Sequence, residues 1–314
     1  MNCDEEIRPP YFYVLGYDQD ELELAQAEVL TLASGERVHP RIVLSDQRIE
    51  LERTGYVSFV GSFLARGGSV EELAAAVRAQ RLVADAFRIH VKKIPKGLPL
   101  KSHELAGRLA LEIGGHPNLD VPQVEFLAVA TEQGLWFGRL LPIGEPRWKR
   151  LHDKPYEFSS ALPARMARAL VNLGARAGQR ITDPCCGSGT LLLHAADLGA
   201  SVSGWDINPR MVWMTRGNLQ HFGLPGEVQL GDAASVEGRF DAVVTNLPYG
   251  NFCAITPEKY RAILANCRRL APQQLFVTTS PSDELLRELG FRVERRVLTG
   301  EKLARRIVYC CSSA

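Results

Sequence analysis

The chain has 314 residues with 37 Lys and Arg against 36 Asp and Glu, a formal charge of +1, and 46% hydrophobic residues. At roughly 100–200 residues per domain this is two or three globular domains with ample core, and neither a polycationic nucleic-acid arm nor a disordered acidic chain fits such a balance. No apolar run reaches the ~18 residues a membrane-spanning helix needs, the acidic N-terminus lacks the apolar stretch of a secretory signal, and seven cysteines without C-x-x-C spacing read as reduced thiols of a cytoplasmic protein that holds no metal.

In chain order, "YFYVLGY" (11–17) reads as a strand and "DELELAQAEVLTLAS" (20–34) as an acidic amphipathic helix. "RIVLS" is a further strand, and residues 48–64 are strand with partly helical material. "SVEELAAAVRAQ" (69–80) opens with Ser69 and carries Glu72 three residues on, a capping-box helix start. "FRIHVKKI" (87–94) alternates as a half-buried strand, 102–114 is a helix, and 123–141 is a hairpin turning at Glu132–Gly134. Residues 142–158, with three prolines and several bases, read as a linker. Beyond it strands and helices alternate: strands at 179–186, 200–207, 226–233, 240–247 and 274–280, helices at 189–199, 209–223, 256–271 and 282–290. Two strands, 291–300 and 305–312, close the chain with no helix between them. The alternation predicts a doubly wound parallel α/β sheet. The closing pair predicts an antiparallel last strand, as in a methyltransferase-type rather than a dehydrogenase-type sheet.

The chemistry collects at strand C-termini, where open α/β sheets bind ligands. "DPCCGSGT" (183–190) is a strand-to-helix turn in which Gly187 and Gly189 let the backbone approach a ligand and the helix N-terminus offers free N–H groups. Position 192 is Leu, so the pyrophosphate fingerprint G-x-G-x-x-G is absent. Asp206, followed by Ile207, ends the second strand and suits two ribose hydroxyls. Asp232, followed by Ala233, ends the third and can accept from an adenine amino group. Three acids at three successive strand ends (Asp183, Asp206, Asp232) without a phosphate grip favour S-adenosylmethionine over NAD, with Asp183 facing the methionine ammonium. Pro184, Thr190 and Asn246 complete the expected cofactor contacts.

"TNLPYG" (245–250) ends the fourth strand beside that pocket. The Asn246 side-chain oxygen and the Leu247 carbonyl, turned outward by Pro248, can draw the N–H groups of a planar exocyclic amine and free its lone pair, while Tyr249 offers a face for an extruded base. Positioning and dipoles then supply the rate, and no catalytic carboxylate is needed.

"DPCCGSGT", "NLPYG" and "SSALPARMARALVNLG" (159–174) together resemble the THUMP-domain tRNA guanine-N2-methyltransferases, most closely the archaeal-type enzymes acting at guanine 10. The resemblance is specific over 159–250 and weaker but collinear over 11–140. It implies an α/β, Rossmann-like class I methyltransferase sheet at 159–314 behind an α+β N-terminal half: a ferredoxin-like unit at 1–64, a THUMP RNA-binding domain at 65–141 and the linker. It further implies S-adenosyl-L-methionine as cofactor, tRNA as partner gripped through THUMP, and no membrane association. Some relatives work with a small activator protein and others alone, and oligomeric state is left open. Asp183, Gly187, Gly189, Asp206 and Asp232 fall on the family's cofactor positions; Asn246, Pro248 and Tyr249 fall on its catalytic loop. This chain carries Asn246 where the guanine-10 enzymes usually carry Asp, and Leu247 where they carry Pro, which leaves guanine 6 as an alternative target and the number of methyl groups open. An rRNA guanine, a DNA adenine, a protein glutamine amide, and a non-catalytic RNA-binding module are the other readings. Nine bases against three acids between Arg139 and Arg180 are expected to meet phosphates, beside Lys92, Lys93, Lys96 and Lys101.

Overall fold

Short β-rich runs separated by glycine and polar turns build the N-terminal half; β-branched runs alternating with amphipathic helices build the rest. The computed structural model describes residues 10–16, 19–159, 161–248, 255–300 and 305–313. The N-terminal half contains β1 (Tyr11–Leu15), α1 (Leu22–Ala33), β2 (Glu36–His39), β3 (Ile42–Ser45), β4 (Val57–Gly67), α2 (Val70–Ala79), β5 (Phe87–Ile94), α3 (Ser102–Ala110), β6 (Val124–Thr131) and β7 (Gly134–Leu141). Its strands form one seven-stranded sheet, ordered β2-β3-β1-β4-β7-β6-β5, in which only β5 and β6 pair in parallel. The Ser69 hydroxyl accepts from the Glu72 N–H as expected, while the Glu72 carboxylate reaches back to the Gly68 N–H. Leu73 and Val77 of α2 and Leu105 and Leu109 of α3 pack on Phe87, Phe126 and Phe137, with the last two rings stacked at 5.2 Å. The division drawn at 64/65 falls inside β4, and the sheet is continuous across it.

The C-terminal half contains α4 (Ala164–Gly174), β8 (Arg180–Asp183), α5 (Thr190–Asp197), β9 (Ser201–Asp206), α6 (Pro209–His221), β10 (Glu227–Leu230), β11 (Ala242–Asn246), α7 (Pro257–Leu270), β12 (Gln273–Thr278), α8 (Asp283–Glu288), β13 (Arg292–Thr299) and β14 (Arg306–Ser312). The strand order is β10-β9-β8-β11-β12-β14-β13. Strands β8 to β12 run parallel, and β14 inserts antiparallel between β12 and β13. This is the reversed closing strand that two helix-free final strands predicted. Order reverses between β8 and β11, so the ends of those two strands flank the crevice that open sheets use for ligands. Among the described residues no helix is long and apolar enough to cross a membrane.

The chain divides into two compact units; the boundary after Gly144 falls inside the 142–158 linker, but two earlier segments also belong to the C-terminal unit. The N-terminal sheet forms one; α1 and residues 50–56 group with the C-terminal sheet. The reason is a fully buried carboxylate. Glu28 on α1 accepts from the Gly55 N–H (2.7 Å), the Tyr56 N–H (3.0 Å) and the Asn172 side-chain amide of α4 (2.7 Å). Asn172 also donates to the Arg53 carbonyl at 2.9 Å. Further contacts of α1 run to β13: the Leu298 N–H donates to Glu23, and Arg295 donates to Thr31. An acidic helix that sequence assigns to the N-terminal fold thus completes the C-terminal one.

Candidate active site

The site is built on the C-terminal edge of β8, β9 and β11. Asp183 ends β8 and is 2% exposed; its carboxylate accepts from the Thr245 hydroxyl of β11 at 2.6 Å and from the Cys185 N–H at 3.0 Å. Burial pushes its pKa up to about 7 against the pull of these two donors, and neighbouring Asp206 adds to the rise. Asp206 ends β9 and accepts from the Gly187 N–H (2.9 Å) and the Asn208 N–H (2.8 Å), so it pins the glycine turn to the second strand. Its pKa is also raised, again by burial.

The turn owes its shape to its glycines. Gly187 and Gly189 have φ of 54° and 82°, in the left-handed region. A Cβ on Gly189 would sit 2.5 Å from the Thr215 methyl of α6, whereas a Cβ on Gly187 would meet nothing within 4 Å. Gly189 therefore serves packing, and Gly187 leaves open space on the ligand side. Pro184 is buried beneath the turn, and Thr190 begins α5. Ile207 presents its side chain to solvent at 70% exposure, an apolar surface beside Asp206.

Asp232 differs from the other two acids. It accepts from the Ala234 N–H at 2.9 Å and forms an ion pair with Lys259 near the start of α7, and this partner holds its pKa below the usual range. Ala233 is buried in the core beside it.

Asn246 ends β11. Its Oδ1 is buried and has no hydrogen-bond partner among the described residues. Leu247 is core, with its N–H donating to the Val277 carbonyl at 2.9 Å, and Pro248 is half-buried. Tyr249 lies outside the described residues. The structure thus brings Asp183, Gly187, Gly189, Thr190 and Asp206 around one turn, with Asp183 hydrogen-bonded to the β11 strand that Asn246 ends.

Sequence reasoning would place a tryptophan of this helix in the core, but Trp213 is 58% exposed and its ring rests on Tyr156 at 4.5 Å. It also missed the role of 154–156, which read as linker. Asn218 of α6 donates to the Tyr156 carbonyl (2.8 Å) and the Ser188 carbonyl (2.9 Å) and accepts from the Tyr156 N–H (3.0 Å), tying this segment to the glycine turn. The only trace in sequence is Gly217, where a Cβ would lie 2.5 Å from the Tyr156 ring.

A reversed closing strand, a glycine turn after the first strand and acids at the next strand ends define a class I methyltransferase that uses S-adenosylmethionine. The donor set fits that cofactor: the buried Asp183 carboxylate and the half-buried Asp206 carboxylate, both with raised pKa values, suit a cationic ligand. Residues 151–275 match the family described as RMKL-like, methyltransferase domain. The chain is 27% identical over 264 residues to the tRNA (guanine(10)-N2)-dimethyltransferase of Methanothermobacter thermautotrophicus, covering 77% of this chain and 79% of that one. It is 28% identical over 301 residues to the enzyme of the same name from Pyrococcus abyssi, covering 86% and 90%. Among solved structures it resembles TrmN from Thermus thermophilus, with a TM-score of 0.56 and 20% identity over 98% of this chain and all of the other. The relatives are the guanine-10 enzymes that the motifs resemble.

Proposed function

We propose that this chain is a tRNA methyltransferase forming N2-methylguanosine or N2,N2-dimethylguanosine at guanine 10. The observation that carries the reading is the Asn246 oxygen: a buried acceptor without a donor, at the end of the strand that flanks the cofactor crevice. A buried acceptor left unmade costs about 1–3 kcal/mol, and the exocyclic amine of guanine supplies the missing N–H. The lone pair of that amine is delocalised into the ring, and an acceptor on its N–H helps the nitrogen pyramidalise. When bound, S-adenosylmethionine supplies an electrophilic methyl group. Asp183 would hold its ammonium, Asp206 its ribose, and Asp232 and Ile207 its adenine, while Gly187 and Gly189 admit it to the turn. The amine proton departs after methyl transfer, so Asn246 orients and polarises without acting as a base.

The target in tRNA, and the assignment of the continuous N-terminal sheet to ferredoxin-like and THUMP halves, rest on the relatives' names and on the collinear motifs. Asn246→Ala tests the reading. It should reduce methyl transfer at least ~100-fold, the scale for losing one positioned polar group at a developing charge, while cofactor affinity stays within a few-fold. A large affinity loss with residual turnover would contradict the assigned role.

A further inference from the structure

Lys154 is a cation in an unusual place. Its side chain is 3% exposed, and its ammonium donates to the Thr190 hydroxyl at 2.9 Å, at the first residue of α5. The nearest carboxylate is Glu157 at 3.9 Å, beyond hydrogen-bond reach and itself solvent-exposed. Burial accordingly pushes the Lys154 pKa down. A helix N-terminus is the positive end of the macrodipole and repels a cation, so two positive features converge with no anion between them. The placement is not slack. Asn218 clamps the neighbouring Tyr156 backbone to α6 and bonds the Ser188 carbonyl of the glycine turn. Ser188 is 4% exposed, and its hydroxyl has no partner among the described residues. A buried ammonium and a buried, unpartnered hydroxyl therefore lie on either side of Gly189, beside the first N–H groups of α5, which have no intrahelical acceptor.

The cofactor assigned above carries one anionic group, its methionine carboxylate, and the acids at the strand ends cannot receive it. We propose that Lys154 holds this carboxylate, with the Ser188 hydroxyl and the first N–H groups of α5 completing the cradle. The inference rests on the methyltransferase reading. It makes residues 154–156 part of the cofactor site and gives the burial of a charged side chain its reason, since a buried ammonium is retained when an anion pairs with it.

The test compares S-adenosylmethionine with its decarboxylated form, which lacks only the carboxylate, by calorimetry on the full-length protein and on Lys154→Gln and Lys154→Arg. The unaltered protein should bind the decarboxylated ligand about 10–100-fold more weakly, the scale of one charge-assisted contact. In Lys154→Gln the two ligands should bind alike, because S-adenosylmethionine alone loses affinity; Lys154→Arg should restore most of the difference. Equal weakening of both ligands in Lys154→Gln would make Lys154 a structural residue and overturn the proposal. So would equal binding of both ligands by the unaltered protein. Binding of neither ligand by the unaltered protein would instead overturn the cofactor reading on which the proposal stands.

Discussion

Asp183 carries its acid chemistry as a consequence of burial. Its pKa, up at about 7 because water is excluded, lies well above that of an aspartate in the unfolded chain. The folded state therefore holds the proton more tightly, and the contribution of this group to stability is full at low pH and lost as pH rises through about 7. A cationic ligand reverses the preference, since the ionised carboxylate is the form that pairs with an ammonium. Between pH 6 and 7.5 cofactor affinity should rise with pH, and in Asp183→Asn it should be weak and flat. The melting temperature of the ligand-free protein should fall over the same interval, and less so in Asp183→Asn. Affinity that falls with pH, measured by calorimetry, would contradict the account. Asp183, Asp206 and Asn246 were legible in sequence because each ends a strand, and strand ends converge by topology alone. Lys154 was not: it sits among prolines and charges that read as a linker, and its place is set by tertiary contacts, its own with Thr190 of α5 and that of nearby Tyr156 with Asn218 of α6.

At the scale of elements, α1 shows what periodicity cannot reveal. Its acidic, amphipathic pattern predicts a helix, which forms, but not which sheet it serves. Glu28 decides that by gathering two backbone N–H groups from residues 55 and 56 and the Asn172 amide of α4. Glu28→Ala leaves these buried donors unpaired, and at about 1 kcal/mol each or more it should cost roughly 3 kcal/mol and several degrees of melting temperature. An unchanged melting temperature would rule out this link. For the same reason a fragment starting at residue 145 lacks part of its own unit and should be unstable, rather than retain cofactor binding as a linker at 142–158 would imply. The basic stretch between Arg139 and Arg180 has a similar explanation. Arg168 is fully buried and paired with Asp197, which also takes Arg150; Arg147 pairs with Glu50; and Arg165 donates to the Gly55 carbonyl. Part of this local charge excess is thus spent on holding the methyltransferase unit together.

For the whole molecule, a net charge of +1 gives little general attraction to RNA, so recognition has to come from shaped surfaces. The class of the C-terminal sheet was readable because its order follows from βα alternation and a helix-free ending. The continuity of the N-terminal sheet was not, because its strands pair across long sequence gaps, with β1 between β3 and β4 and β4 beside β7. The central claim is that this chain methylates the exocyclic nitrogen of guanine 10. The most direct measurement incubates the purified protein with labelled S-adenosylmethionine and an unmodified tRNA transcript, then identifies digested nucleosides by mass. The account predicts N2-methylguanosine or N2,N2-dimethylguanosine that disappears when guanine 10 is replaced and persists when guanine 6 is replaced. Product that survives loss of guanine 10, or no product from a protein that binds both cofactor and tRNA, would contradict it.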